Sequence, residues 1–450
     1  ALNQNQGKIE TAKASSFVER ELVAWLHRLI YEKPEAYYQK HIQNPKVAIG
    51  NVTADGTLAN LTALLVAREK AFPPDNNFPG IRVAGIAPAL THYGYERGVI
   101  VVSSRGHYSI KKACHLLGIG EENVVTVPVD ENYHMDLKRL KRKLKSLKSA
   151  TGGKRTKIIA LIGIAGTTET GNVDDLDALA EIAREKGIHF HVDACWGGSA
   201  MLVDEYRPLF KGIEQADSVS IDAHKLLYCP MAMGIILFKS ERDLHLIRHS
   251  SHYIIRKNSV DTGRFTLEGS RPFAALKPWA ALKIIGKDGY GLLLRQAKKS
   301  TQTLENLING CGNFEALNRP ELFILNYRFI PEVVRKKITA LKAWQDPVNG
   351  SQGAKKREQQ DRKINHLING LNIKLHKALR RVDTTFVSRT TMESTRYRPQ
   401  RIVVLRAVVV NPLTHTEILK EIVDTQNRLG LAIWKDLVPA YERICREYRL

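Results

Sequence analysis

The chain has 450 residues and a formal net charge of +22, from 68 Lys and Arg against 46 Asp and Glu. With 43% hydrophobic and 25% charged residues it has the balance of a folded globular protein, which excludes a disordered tail and a disulfide-stapled miniprotein. The length predicts two or three domains around a large core, and no run of about 18 apolar residues offers a spanning helix. Cys114, Cys195, Cys229, Cys311 and Cys445 are scattered, odd in number and free of any C-x-x-C pairing, which fits a reducing cytoplasm better than a secreted framework. The opening stretch from Ala1 has no apolar signal core, and the sequence is expected to begin inside a longer gene product. Basic residues run from Lys8 to Arg449 rather than in one stripe, so nucleic acid is not the expected partner despite the charge.

Residues 17–43 predict a helix from Phe17, Leu22, Val23, Leu26, Leu29 and Ile30 at the 3.6-residue period, ending before Pro45. A loop then turns at Gly56 into an apolar helix from about Thr57 to Phe72, with the Thr57 hydroxyl as a helix starter. From there strands and helices alternate. VIVVSS (99–104) and NVVTVPVD (123–130) read as strands, with a helix after Gly106 between them. HMDLKRLKRKLKSLKS (134–149) reads as a basic amphipathic helix with Leu137, Leu140, Leu144 and Leu147 on one face. KIIALIGIAG (157–166), IHFHVDA (188–194), SVSIDAH (218–224) and GIILFKS (234–240) are near-continuous apolar runs, as in a parallel sheet buried on both faces. LDALAEIAREKG (176–187) is the crossover helix, stopped by glycine. This alternation predicts an α/β doubly wound domain. After Arg271 comes a long helical stretch, a polar and basic segment at 335–363 read as a mobile surface excursion, a strand at 401–412 and a helix at 418–430, together a small α+β domain. There is no internal repeat.

Three features of residues 160–240 belong together. Asp193, in HVDACWGG, and Lys225, in SIDAHKLLYCP, each stand at the carboxyl end of a buried strand, and Thr167 and Thr168 end a third. Ligands of open α/β sheets collect at those ends. A buried unpaired charge costs several kcal/mol, so both charges need partners. One reading is a structural Lys–Asp ion pair. The other is a pyridoxal phosphate site, which needs a lysine for the Schiff base and a carboxylate against the pyridine nitrogen. ADGTLAN at a helix start can supply the phosphate cradle, and His107 can lie flat on the ring. His189, His191 and Cys195 match no standard zinc spacing, and no metal is expected.

HVDACWGGS followed by DAHK, with ADGTLANLTALLVAR and SSRGHYSIKKA upstream, resembles the group II pyridoxal-phosphate amino-acid decarboxylases. That family includes glutamate, cysteine-sulfinate, aromatic-amino-acid and aspartate decarboxylases. The resemblance runs from about residue 10 to about 430. TLEGSRP (266–272), ELFILNYRFIP (321–331), TTFVSRTT (384–391) and RIVVLRAVVVNP (401–412) are most similar to the bacterial aspartate 1-decarboxylases.

The resemblance implies a fold type I, PLP-dependent transferase-like architecture with a mostly parallel central sheet and a small C-terminal α+β domain. The expected divisions are an N-terminal helical segment (1–47), a large cofactor-binding domain (48–310) and a small domain (311–450). It implies that Lys225 forms the Schiff base, Asp193 pairs with the pyridine nitrogen, and His107 stacks on the ring and relays a proton. Thr168 is then near the ring substituents and Cys195 lies against the other ring face, where the family usually has Ala. Gly56, Thr57 and His224 hold the phosphate, Ser270 approaches from a second subunit, and Arg406 pairs with a substrate carboxylate. A homodimer with sites at the subunit interface is implied, as is an N-terminal portion that in relatives wraps the partner and adds substrate contacts. Where several members carry a proton-donating Tyr before DTG (261–263), this chain has Val260, leaving His107, Tyr253 or water. The expected reaction is α-decarboxylation of a small acidic amino acid, aspartate to β-alanine first and glutamate to GABA second. The alternatives are decarboxylation of an aromatic amino acid, cysteine sulfinate or diaminobutyrate, an oxidative deaminase or carbon–carbon lyase on the same cofactor, or a non-catalytic basic binding protein on this fold.

Overall fold

The computed structural model describes residues 4–148, 155–252, 255–256, 259–343, 352–382, 386–393 and 400–448. It divides into two compact units, one of Ala1–Asp130 with His134–Leu294 and one of Glu131–Tyr133 with Arg295–Leu450. No described helix is long and apolar enough to cross a membrane.

The first unit is built on seven strands: β1 (Gly50–Thr53), β2 (Arg97–Ser103), β3 (Val124–Val127), β4 (Thr156–Ile164), β5 (His189–Asp193), β6 (Ser218–Asp222) and β7 (Gly234–Phe238). Their order is β1-β7-β6-β5-β4-β2-β3. The pairs from β3 to β6 are parallel, while β7 runs antiparallel to β6 and to β1. The apolar runs read from the sequence are these strands, and burial on both faces explains their continuity: β4 to β7 are buried along almost their whole length. The helix Gly56–Ala71 lies on the sheet through Ala59, Ala63, Leu64, Val66 and Ala67, all fully buried. Each side chain of Leu or Val size so covered contributes about 1.5–3 kcal/mol.

Four local expectations are corrected. The helix predicted over 17–43 is two, Ala14–Tyr31 and Glu35–His41. Pro34 has no N–H to donate and disfavours helix before it, and Glu32 leaves the first helix left-handed, at φ 45°. The next helix is started by Asp55 rather than Thr57, since Asp55 Oδ1 accepts the Leu58 N–H at 3.0 Å. Residues read as loop before it include β1. The long helix Leu276–Gly310 is broken at Gly286, whose φ of 66° is non-helical.

The second unit holds a four-stranded antiparallel sheet in the order β10-β11-β9-β8, from β8 (Phe314–Ala316), β9 (Ile324–Phe329), β10 (Ser388–Glu393) and β11 (Arg401–Val408). The described part of the polar segment 335–363, read from the sequence as a mobile surface excursion, is helical, within Glu332–Ala343 and Gln352–Leu379. The reason lies further along: Ile364, Ile368, Leu371, Leu375 and Leu379 follow helical spacing and are buried against the sheet, so residues 352–363 extend a helix whose apolar stripe comes later.

Candidate active site

Register brings the site together. Asp193 ends β5 opposite Ile164 of β4 and Ser220 of β6, so side chains from three neighbouring strands share one level. Its Oδ2 accepts from Asn60 Nδ2 at 3.0 Å and its Oδ1 from the Cys195 N–H at 3.2 Å. Burial pushes the Asp193 carboxyl up, but His191, Lys225 and the bonds from Cys195 outweigh it and hold it below the ordinary carboxylate value. It is therefore an anion at neutral pH.

Lys225 lies just past β6, and its Nζ is 2.9 Å from Asp222 Oδ2. The structural ion pair is thus with Asp222, and Asp193 is left to its hydrogen-bond donors. Burial lowers the affinity of Lys225 for its proton, but Asp222, Cys195 and Asp193 raise it above the ordinary value. His107, in the loop after β2, places Nδ1 2.9 Å from Ser109 Oγ and within 3.3 Å of the Ser109 N–H. Burial lowers its pKa. Burial raises the Cys195 thiol well above its ordinary value, so it is a neutral thiol, and its Sγ donates to Ser220 Oγ at 3.3 Å.

Gly56, Thr57, His107, Thr168, Asp193, Cys195, His224 and Lys225 all line one cavity of about 160 Å³, with Asp222, Arg105 and Trp196. The sequence reading placed these eight residues in one site, and the structure brings them together. Ser270 lies elsewhere, exposed, and accepts from Asn5 Nδ2 at 3.1 Å. Arg406 belongs to β11 of the second unit, where its Nη1 donates to Ser388 Oγ at 3.3 Å. Val260 is exposed and its carbonyl accepts from Arg20; Tyr253 is outside the described residues.

Sequence reasoning missed Asp222 and Asn60. Asp222 could have been found, since it stands three residues before Lys225 in the DAHK stretch already singled out. Asn60 gave no such signal, being a neutral residue inside an apolar helix. His189 and His191 are not arranged as metal ligands: both bond to Ser218, at 2.9 and 3.0 Å, and burial lowers their pKa to about 3 and about 4.

The cavity fits a compact anionic group carrying an aldehyde. A Cβ added at Gly56 would come within 2.5 Å of Cys195 Sγ and 2.9 Å of Asp222 Oδ2, so only glycine lets the helix start reach the wall. The N-terminal amides there favour an anion. Asp222 Oδ1 and Trp196 Nε1 are buried without a hydrogen-bond partner and line the same space. Polar atoms left open in this way mark a site built for a polar occupant.

The pyridoxal-dependent decarboxylase conserved domain matches residues 1–330. The aspartate 1-decarboxylase of Aliivibrio fischeri is 39% identical over 96% of this chain and 75% of its own length. The L-2,4-diaminobutyrate decarboxylase of Acinetobacter baumannii is 28% identical over 74% of this chain and 63% of its own length. The crystal structure of Catharanthus roseus tryptophan decarboxylase in complex with L-tryptophan aligns with a TM-score of 0.74 at 21% identity, covering 96% of this chain and 79% of that one, a likeness of fold. Sequence, architecture and a cavity that joins a lysine to an ionised carboxylate thus converge: the chain belongs to the pyridoxal-dependent decarboxylase family and is a pyridoxal-phosphate-dependent amino-acid decarboxylase.

Proposed function

We propose that this chain removes the α-carboxylate of aspartate to give β-alanine, acting as a cytoplasmic homodimer with Lys225 as the cofactor's attachment point. The observation that carries the substrate is the 39% identity to an aspartate 1-decarboxylase along 96% of the chain. Five free cysteines, three of them buried, support a reducing compartment. The homodimer rests on the resemblance.

When bound, pyridoxal phosphate supplies an electron sink for the pair left on the substrate's α-carbon as CO2 departs. The protein's part is positional and electrostatic. Lys225 offers the amine, and Asp222 beside it holds the proton that this amine must release before attachment and regain afterwards. Asp193, kept ionised by its neighbours, would be the carboxylate partner of the ring nitrogen. His107 and Cys195 would hold the ring between them, and Thr168 would hold its substituents. The amides of Gly56 and Thr57, with His224, would hold the phosphate, joined by Ser270 from the second subunit. Arg406 keeps the role of substrate-carboxylate partner, for which a guanidinium fork is suited. With Val260 at the usual tyrosine position, the proton delivered to the α-carbon comes from His107, Tyr253 or water.

The test is CO2 release and product identity with the full-length protein on aspartate, glutamate, cysteine sulfinate, tyrosine and diaminobutyrate. β-Alanine from aspartate at the highest kcat/KM is the expected result. Preference for any other substrate would overturn the assignment, and an aldehyde with ammonia in place of an amine would replace decarboxylation by oxidative deamination.

A further inference from the structure

We propose that Asn60 is a positioning residue whose single amide fixes both the orientation of the Asp193 carboxylate and the tautomer of His107. The inference rests on the roles given above to those two residues and adds a third that sets them as a unit. Asn60 is 1% exposed and projects from the second turn of the helix Gly56–Ala71. Its Nδ2 lies 3.0 Å from Asp193 Oδ2 and 3.1 Å from Ser109 Oγ. Its Oδ1 lies 2.7 Å from Ser220 Oγ and 3.0 Å from His191 Nε2. A carboxylate only accepts, so the NH2 side of the amide must face Asp193, and the orientation of the whole group follows.

The consequences run outward from that choice. One hydrogen of Nδ2 goes to Asp193 and favours its charged form. The other goes to Ser109 Oγ, which is then free to turn its own hydrogen toward His107 Nδ1, 2.9 Å away. The Ser109 N–H approaches the same nitrogen from 3.3 Å, a longer and weaker contact than the hydroxyl's, so the hydroxyl decides. With donors directed at it, Nδ1 keeps its lone pair and the ring proton sits on Nε2. On the oxygen side, Asn60 accepts from the N–H of His191, whose Nδ1 takes the Ser218 hydroxyl at 3.0 Å. Both sides of the amide are fully used. An apolar residue there would strand four buried groups from three separate segments.

The test uses the full chain with 15N-labelled histidine, with and without pyridoxal phosphate, and His107→Gln to identify the His107 signal. In the wild-type chain without cofactor, His107 is expected as the Nε2–H tautomer alone. Asn60→Asp, which keeps the shape but loses both donors, and Asn60→Ala should each give a mixture of tautomers. Each should also weaken pyridoxal phosphate binding about ten- to a hundredfold, the scale of losing a hydrogen bond to a charged group. Ser109→Ala should disturb the tautomer with a smaller effect on affinity, and it serves if the Asn60 variants do not fold. An unchanged Nε2–H signal in Asn60→Asp, or in Ser109→Ala in its place, would overturn the proposal. The tautomer is read without cofactor, so this outcome is separate from a failure of the Lys225 reading, which would show as a missing cofactor band in the wild type.

Discussion

Acid should weaken the first unit through histidines that it buries neutral, and His27 gives the cleanest measure. Its ring is fully buried, with Nε2 3.0 Å from the Phe238 carbonyl and Nδ1 3.0 Å from the Tyr38 hydroxyl, and burial lowers its pKa from 6.5 to about 3. In the unfolded chain it takes up a proton near 6.5, while in the fold it stays neutral until about 3. Between those values the unfolded state binds one more proton, so stability falls as pH falls. From 6.5 to about pH 5 the difference is about 2 kcal/mol for this one group. His189 and His191 act in the same direction, giving about 6 kcal/mol together, against a usual domain stability of about 5–15 kcal/mol. Buried carboxyls such as Asp174, pushed up to about 6, work the other way, so the test is a difference. In His27→Gln, whose amide can still donate to Phe238, the loss of stability between pH 7 and about pH 5 should be smaller than in the wild type by about 2 kcal/mol. Hydrogen exchange read by mass spectrometry on peptides of β5 to β7 reports this locally. Equal pH dependence in the two proteins would refute the reasoning.

Further outcomes follow from the same geometry. Arg271→Met removes the partner of Glu19, an ion pair at 2.8 Å whose side chains are 2% and 5% exposed. It should cost about 3–5 kcal/mol in urea unfolding, and a loss below about 1 kcal/mol would show that the pair is dispensable. Asp222→Asn removes the carboxylate that holds the Lys225 proton, so the pH profile for cofactor uptake, followed by absorbance, should move to lower pH; an unmoved profile would assign that hold to another group. Val260→Tyr should raise the ratio of amine formed to cofactor lost. An unchanged ratio, measured by product and cofactor analysis, would mean that the proton already has an adequate source.

Much of the first unit was legible because burial on both faces forces continuous apolar runs, and β2 and β4 to β7 stand where those runs lie. Direction is not written in such a run, and β7, read with the parallel strands, is antiparallel. β1 escaped because four residues beginning Gly50-Asn51 carry no hydrophobic run of their own and gain their place by pairing with β7. The helical part of 352–363 escaped because its stripe begins only at Ile364. In the site, Lys225 and Asp193 were legible as charges set at the ends of apolar strands, where they cannot stand without purpose. Asn60 was not, since its importance comes from four partners on three segments far from it in the chain, and a neutral amide on a helix gives no warning of them.

Lys225 is the lysine assigned to carry the cofactor. Borohydride reduction of the loaded full chain, followed by proteolysis and mass mapping, reads that directly. The pyridoxyl mass should appear on the peptide containing Lys225 and vanish in Lys225→Ala. A stable adduct on a different lysine, with Lys225 unmodified, would contradict the assignment of this cavity.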